Sequence, residues 1–188
     1  MITVVYFWRI RKAFLPIAII NMAVNKLLLK VRFRNSFIKL LGTGKGESFT
    51  PKDADQFRWG LLITIDQSQL SQLENSLVIK LWRRISKNEY RALLRPISSH
   101  GLWSRKQPFL LEKFEWHGKI AAVTRARIVW RKNLQFWRAV PPVTESLHSS
   151  PGLLNAIGIG EAPIGLQGTF SLWESAAAIR EFAYKGAA

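Results

Sequence analysis

A repeated order of strands and helices constrains this chain more than any single motif in it. Ile2 to Trp8 is a run of β-branched and aromatic residues, the composition of a strand. Phe14, Ile17, Ala18, Ile20, Val24 and Leu28 follow at helical spacing, with Pro16 early enough to sit in a first turn. Ser36 to Leu41 reads as a strand entering the glycine-rich turn Gly42-Thr43-Gly44-Lys45-Gly46-Glu47, and Phe57 to Ile65 as a strand ending at Asp66. Gln67 to Arg84 reads as a helix with Leu70, Leu73, Leu77, Leu81 and Trp82 on one face, and Glu89 to Ile97 as a closing strand. Most of this β-α-β-β-α-β order then recurs. Lys119 to Trp130 is a strand, Asn133 to Leu147 a helix interrupted by Pro141-Pro142, Leu154 to Ile159 and Gly168 to Trp173 strands, and Glu174 to Tyr184 a helix. Gly42-Thr43-Gly44 and Gly158-Ile159-Gly160 stand 116 residues apart, and the same offset sets Tyr6-Phe7 on Ala122-Val123. That is the mark of a duplication.

The expected fold is α+β: two tandem ferredoxin-like halves, residues 1–98 and 119–188, joined by a linker, 99–118, around Gly101, Pro108 and Gly118. Such halves can pair as a pseudo-dimeric α/β barrel enclosing an apolar cavity. The last strand of the second half is missing, because Ala188 follows soon after its last helix. The neighbouring strand is then an open edge, to be covered by further sequence or by another chain.

Cysteine is absent, which removes disulfides, thiolate metal ligation and a cysteine nucleophile together and fits a reducing compartment. His100, His117 and His148 lack the spacing of a zinc motif, so no protein metal site is expected. The 28 Lys and Arg against 12 Asp and Glu leave a net charge of +16, a field that favours nucleic acid, an acidic membrane surface or an acidic protein. Ala13 to Ile20, behind Arg9, Arg11 and Lys12, imitates the start of a signal peptide. Strand residues precede the charges, however, no small-residue cleavage site follows, and Asn21, Asn25 and Lys26 break the apolar run well short of about 20 residues. The segment reads as a buried or membrane-touching helix.

Gly42 to Gly46 lacks the spacing of a phosphate loop and enters a strand pattern, so it reads as a hairpin turn. Glu161, beside the second Gly-x-Gly, puts a carboxylate at a strand end, where functional groups can project, but a solvated turn residue is the favoured reading. Strand alternation sets Val123, Arg125 and Arg127 on one face; an inward arginine there needs a carboxylate, a propionate or a backbone carbonyl as partner, and a surface arginine is the equal alternative. Trp103 and Trp137 are candidates to stack on a flat ligand, with core packing as the alternative.

Several blocks in order resemble the spheroidene monooxygenase family of carotenoid ketolases. They are Phe37-Ile38-Lys39-Leu40-Leu41-Gly42-Thr43-Gly44, Gly101-Leu102-Trp103-Ser104 with Pro108-Phe109, and Ala121-Ala122-Val123-Thr124-Arg125-Ala126. Phe136-Trp137-Arg138-Ala139-Val140-Pro141, Gly158-Ile159-Gly160-Glu161-Ala162-Pro163 and Thr169-Phe170-Ser171-Leu172-Trp173, ending in Phe182-Ala183-Tyr184, continue the series. The resemblance implies a haem-containing monooxygenase that takes electrons from reduced ferredoxin, activates O2 and hydroxylates an acyclic carotenoid, a second round giving the ketone. It implies Arg125 as anchor for a haem propionate or carboxylate, with Trp103, Glu161 and Phe170 lining the same cavity. It also implies an axial histidine beyond the Phe-Ala-Tyr segment, in a C-terminal piece that this chain lacks; the catalytic residues stay unassigned.

A basic surface suits acidic ferredoxin, or peripheral contact with the inner face of an anionic membrane for an otherwise cytoplasmic protein. The alternative is a non-catalytic module of the dimeric α/β-barrel kind holding an apolar ligand. A nucleic-acid-binding protein ranks third, because no recognition motif accompanies the scattered cations, and no nucleic-acid partner is expected.

Overall fold

A computed structural model describes residues 1–44, 53–127, 131, 133–161 and 166–185. Their elements run β1 (Ile2–Ile10), α1 (Leu15–Arg32), β2 (Ile38–Gly44), β3 (Ala54–Ile65), α2 (Leu70–Glu74), α3 (Leu77–Ile85) and β4 (Ser86–Leu94). They continue with β5 (Ile120–Arg127), α4 (Asn133–His148), β6 (Leu153–Gly160), β7 (Leu166–Trp173) and α5 (Ala176–Lys185). The chain is α+β with antiparallel strand pairing. It divides into two compact units, residues 1–41 with 56–114 and residues 42–55 with 115–188. Pairing of two halves into a barrel stays an expectation from the sequence.

In the first unit the strands lie in the order β4-β1-β3-β2. Central β1 sets Val5 opposite both Leu62 of β3 and Ala92 of β4. Every β1 residue except Arg9 is buried. The pleat turns Val4, Tyr6, Trp8 and Ile10 to one face, where they meet Ala18 and Leu29 of α1 and Val78, Ile79, Trp82 and Ile85 of α3. Each such large side chain contributes roughly 1.5–3 kcal/mol by leaving water. Tyr6 stacks on Trp8 at 5.0 Å and Trp8 on Trp82 at 5.1 Å. The polar tips of the two stacked β1 aromatics are satisfied: Tyr6 Oη donates to Glu74 Oε1 at 2.7 Å, and Trp8 Nε1 donates to Glu89 Oε2 at 2.7 Å.

Arg83 pairs with both of these carboxylates and Arg91 Nη1 meets Glu74 Oε1 at 2.6 Å, so the aromatic stack ends in a closed ionic network. Burial pushes the Glu74 carboxyl up, but hydrogen bonds from Arg91, Tyr6 and Arg83 outweigh it and hold the group below its ordinary range. Burial first, and then the bond to Glu74, push the Tyr6 phenol up.

Two helices depart from the sequence expectation. The helix expected over Gln67 to Arg84 breaks at Asn75-Ser76, where Ser76 Oγ accepts from Ile79 N at 3.3 Å and starts α3 anew. The break shifts the helical register, so Val78, Ile79, Trp82 and Ile85 are buried while Leu77 is 83% exposed. In α1 the apolar set read at helical spacing is split: Ala18 is buried together with Asn21, Asn25 and Leu29, while Ile17, Ile20, Val24 and Leu28 are exposed.

In the second unit the order is β2-β6-β7-β5, with Gly42–Gly44 as its share of β2. Here the expected turn is strand. Gly42 pairs with Gly160, Thr43 with Ile159 and Gly44 with Gly158, so the two Gly-x-Gly segments bond to each other. Residues without side chains permit turn or strand equally, and the partner strand decides between them. Lys45 to Glu47 lie outside the described residues. α4 runs through Pro141-Pro142, which were expected to interrupt it, and Thr144 Oγ1 donates to the Val140 carbonyl at 3.0 Å. Trp173 of β7 packs on Phe182 of α5 at 5.4 Å and gives Nε1 to Ser171 Oγ at 2.9 Å.

Candidate functional site

Residues directly opposite in an antiparallel ladder share a face. In the second unit, Val123 and Ile157 both oppose Phe170, while Arg125 and Ile159 both oppose Gly168. One sheet face therefore carries Val123, Arg125, Ile157, Ile159 and Phe170, and the other carries Ser171 and Trp173 beneath α5. Ile159 and Phe170 are buried. Into this apolar face Arg125 brings a guanidinium, and Glu161, one residue beyond the end of β6, answers it. Arg125 Nη2 donates to Glu161 Oε1 at 3.1 Å, with the two side chains 22% and 15% exposed. Of the three partners weighed for an inward arginine, the carboxylate is present. Screening by solvent is reduced there, so the pair fixes a polar point of known direction on an apolar wall.

Gly168 is what lets β7 approach the Arg125 backbone. A Cβ on Gly168 would stand 2.1 Å from the Thr124 carbonyl oxygen and 3.2 Å from the Arg125 Cα. Only glycine fits this register.

Trp103 belongs to the first unit. Its ring stands edge-on to Phe37 at 5.3 Å and to Phe109 at 6.3 Å, in the preferred quadrupole geometry. A tight turn holds it: Trp103 and Lys106 exchange backbone hydrogen bonds, and the two residues between, Ser104 and Arg105, both have positive φ (54° and 63°). Non-glycine residues adopt that conformation at a cost of about 1–2 kcal/mol each, so the surrounding contacts must hold the turn. One contact is Lys39, a buried lysine on β2 that gives Nζ to Ser104 Oγ at 2.6 Å and lies 5.3 Å above the Phe37 ring.

Of the four residues singled out by resemblance, the structure brings Arg125 and Glu161 into contact, sets Phe170 on the same sheet face, and places Trp103 in the aromatic cluster of the first unit. Trp137 lies on α4 with its side chain outside the described residues. Lys39 was missed as a candidate in its own right. Its signal was a lysine inside Phe37-Ile38-Lys39-Leu40-Leu41, where alternation puts it on the face of Phe37 and Leu41.

The donor set for a metal or haem iron is sparse. His100 Nε2 lies 3.3 Å from Ser98 Oγ, His117 is 90% exposed beside Glu115, and His148 is exposed. Among the described residues no three His, Cys, Asp or Glu converge.

No family model matches the chain. Curated relatives do. The chain is 34% identical over 174 residues to the spheroidene monooxygenase of Rhodobacter capsulatus, covering 90% of this chain and 72% of that protein. It is 32% identical over 166 residues to the spheroidene monooxygenase of Cereibacter sphaeroides, covering 87% of this chain and 51% of that protein. The chain thus spans about half the length of the latter relative. Among solved structures, an anthrone oxidase-like protein aligns over 100% of this chain and 78% of its own at 14% identity, with a TM-score of 0.38. That likeness is too loose to carry fold or function.

Proposed function

The chain belongs to the spheroidene monooxygenase family, and from that membership we propose that it acts as a monooxygenase on an acyclic carotenoid. One atom of O2 enters a C–H bond of the polyene end to give an alcohol. The other leaves as water, with two electrons and two protons supplied by a reductant, for which reduced ferredoxin is the candidate. A second round at the same carbon, with another O2, two electrons and two protons, gives a geminal diol that loses water to leave the ketone. The observation that carries the reading is the 34% identity to a relative of which this chain covers 72%.

The second unit offers matching chemistry. Val123, Ile157, Ile159 and Phe170 form an apolar strand face suited to a polyene, and the guanidinium of Arg125, steadied by Glu161, supplies a donor for an oxygen at the substrate's end. Arg125 would orient that end and hold the carbon to be oxidised in place.

The resemblance also implies haem. The described residues do not fit one held by an axial protein ligand, because all three histidines are exposed. A second reading is a non-catalytic module that binds an apolar ligand. Incubation of the chain with a dispersed acyclic carotenoid, O2 and reduced ferredoxin, with and without added haem, separates the two by mass spectrometry. A product heavier by one oxygen is expected, and Arg125→Ala should lower its rate about tenfold, the effect of losing an orienting contact. Carotenoid that is bound and recovered unchanged under every condition sinks the oxygenase reading.

A further inference from the structure

We infer that the outer face of α1 is a docking surface for an anionic lipid membrane. A helix that covers a sheet ordinarily turns its apolar stripe inward, and α1 does the reverse. Its inward face carries Asn21 and Asn25, both buried, and neither Nδ2 finds a hydrogen-bond partner among the described residues. Its outward face carries Ile17, Ile20, Val24, Leu27, Leu28 and Val31, all between 40% and 65% exposed. Burying unpartnered amides costs free energy, and so does wetting large aliphatic side chains. A helix made to face water alone would be turned the other way.

The stripe is continuous. Ile17, Ile20, Val24, Leu27 and Val31 recur at alternating steps of three and four residues, which puts them on one side of the helix along roughly 21 Å. α3, packed beside α1, adds exposed Leu77 and Leu81.

Charge selects the occupant. Lys12, Lys26 and Lys30 beside the stripe, and Lys80 and Arg84 on α3, are all exposed, and neither α1 nor α3 contains an Asp or Glu. The same spacing would suit a seam between two copies, but pairing there would set cation against cation with no acidic partner. An anionic bilayer satisfies both features: the aliphatic stripe enters the headgroup boundary while the lysine stems reach back to the phosphates. The segment Lys12–Arg32 is long and apolar enough to cross a membrane by length and composition, but its Ala18–Asn21–Asn25–Leu29 face is committed to the sheet. It lies on the surface rather than spanning it. The inference deepens the carotenoid reading, because a polyene dissolves in lipid, yet it is tested without turnover, so the two can fail separately.

The test is flotation of the full chain with phosphatidylcholine vesicles, with and without phosphatidylglycerol, at low and high salt. Binding to the anionic vesicles alone is expected, weakened about tenfold in the double variant Ile20→Glu/Leu27→Glu and by a similar factor in Lys26→Glu/Lys30→Glu. Both variants change exposed positions, and unchanged circular dichroism and melting temperature would verify folding. Should Ile20→Glu/Leu27→Glu unfold, the single change Leu27→Glu replaces it. Absence of binding overturns the inference. So does binding that salt abolishes but the stripe variants leave intact, since that is attraction by charge alone. A concentration-dependent dimer lost in Ile20→Glu/Leu27→Glu, without vesicle binding, overturns it in favour of a second copy.

Discussion

β1 and β5 hold the same place in the element order of their units, yet β1 is buried along almost its whole length and β5 is half-buried at best. The difference lies in composition, aromatic and β-branched in β1 against mostly Ala, Thr and Arg in β5, and in neighbours. β1 is flanked by β3 and β4, whereas among the described residues β5 is paired with β7 alone. A strand with partners on both sides and helices over one face becomes a core, and its aromatics then require polar partners for their tips, which Glu74 and Glu89 provide. A strand with one partner retains accessible positions, and in this chain that strand carries the Arg125–Glu161 pair. The more completed unit is the one built for stability; the less completed one displays its polar chemistry.

The sharpest way to break this comparison is to truncate equivalent positions. Trp8→Ala empties the middle of a three-ring stack and is expected to cost about 3–5 kcal/mol in denaturant unfolding. Thr124→Ala, 116 residues later, touches an exposed site and should cost no more than about 0.5 kcal/mol. Equal losses would refute the claim that β1 is a core strand and β5 is not.

Backbone spacing in the second unit gives the next effect. Gly168→Ala must displace β5 or β7, because of the 2.1 Å approach to Thr124 O, and should cost about 2–4 kcal/mol. Gly42→Ala, whose nearest contact would be 3.8 Å away, should cost less than about 1 kcal/mol. Melting curves of the two variants check this directly, and similar midpoints would show that the β5–β7 ladder has slack.

Glu74→Gln is expected to cost about 1–3 kcal/mol at neutral pH, since Arg83, Arg91 and Tyr6 lose a charged acceptor. The Glu74 carboxyl titrates lower in the folded chain than in the unfolded one. Its stabilisation is therefore fully present above the unfolded carboxylate range and is lost as pH falls through the folded value. Melting temperatures of wild type and Glu74→Gln should converge on acidification; a constant gap would show that Glu74 acts by shape and not by charge.

The smallest effect belongs to the part-buried pair. A double-mutant cycle on Arg125→Ala and Glu161→Ala should return a coupling of about 0.5–1 kcal/mol, the low end for residues in contact. A stability coupling much larger than that would make the pair a structural clasp and weaken the case for Arg125 as an orienting group.

Much of the element order was legible because period two and period 3.6 leave direct marks, as in the strand Ile2 to Ile10 and the helix Leu15 to Arg32. The site was legible in part. Arg125 read equally as a surface residue or as an inward one needing an acceptor, and Glu161 read first as a solvated turn residue; their contact depends on the β6–β7–β5 register that no local pattern encodes. Lys39 passed unnoticed because one lysine in an apolar strand resembles a solvated residue until Ser104, 65 positions later, is folded onto it.

The helix α1 shows the division most plainly. By itself the sequence determined that Ile17, Ile20, Val24, Leu27 and Val31 share one side of a helix and Ala18, Asn21, Asn25 and Leu29 another, because 3.6 residues per turn is a local property of the backbone. Which side turns inward was decided by tertiary structure, where Ala18 and Leu29 join the same buried cluster as Ile38, Leu40, Leu61 and Ile63 within the first unit. Gly42-Thr43-Gly44 repeats the lesson: the residues allowed turn or strand, and only the hydrogen bonds offered by Gly158-Ile159-Gly160 chose between them.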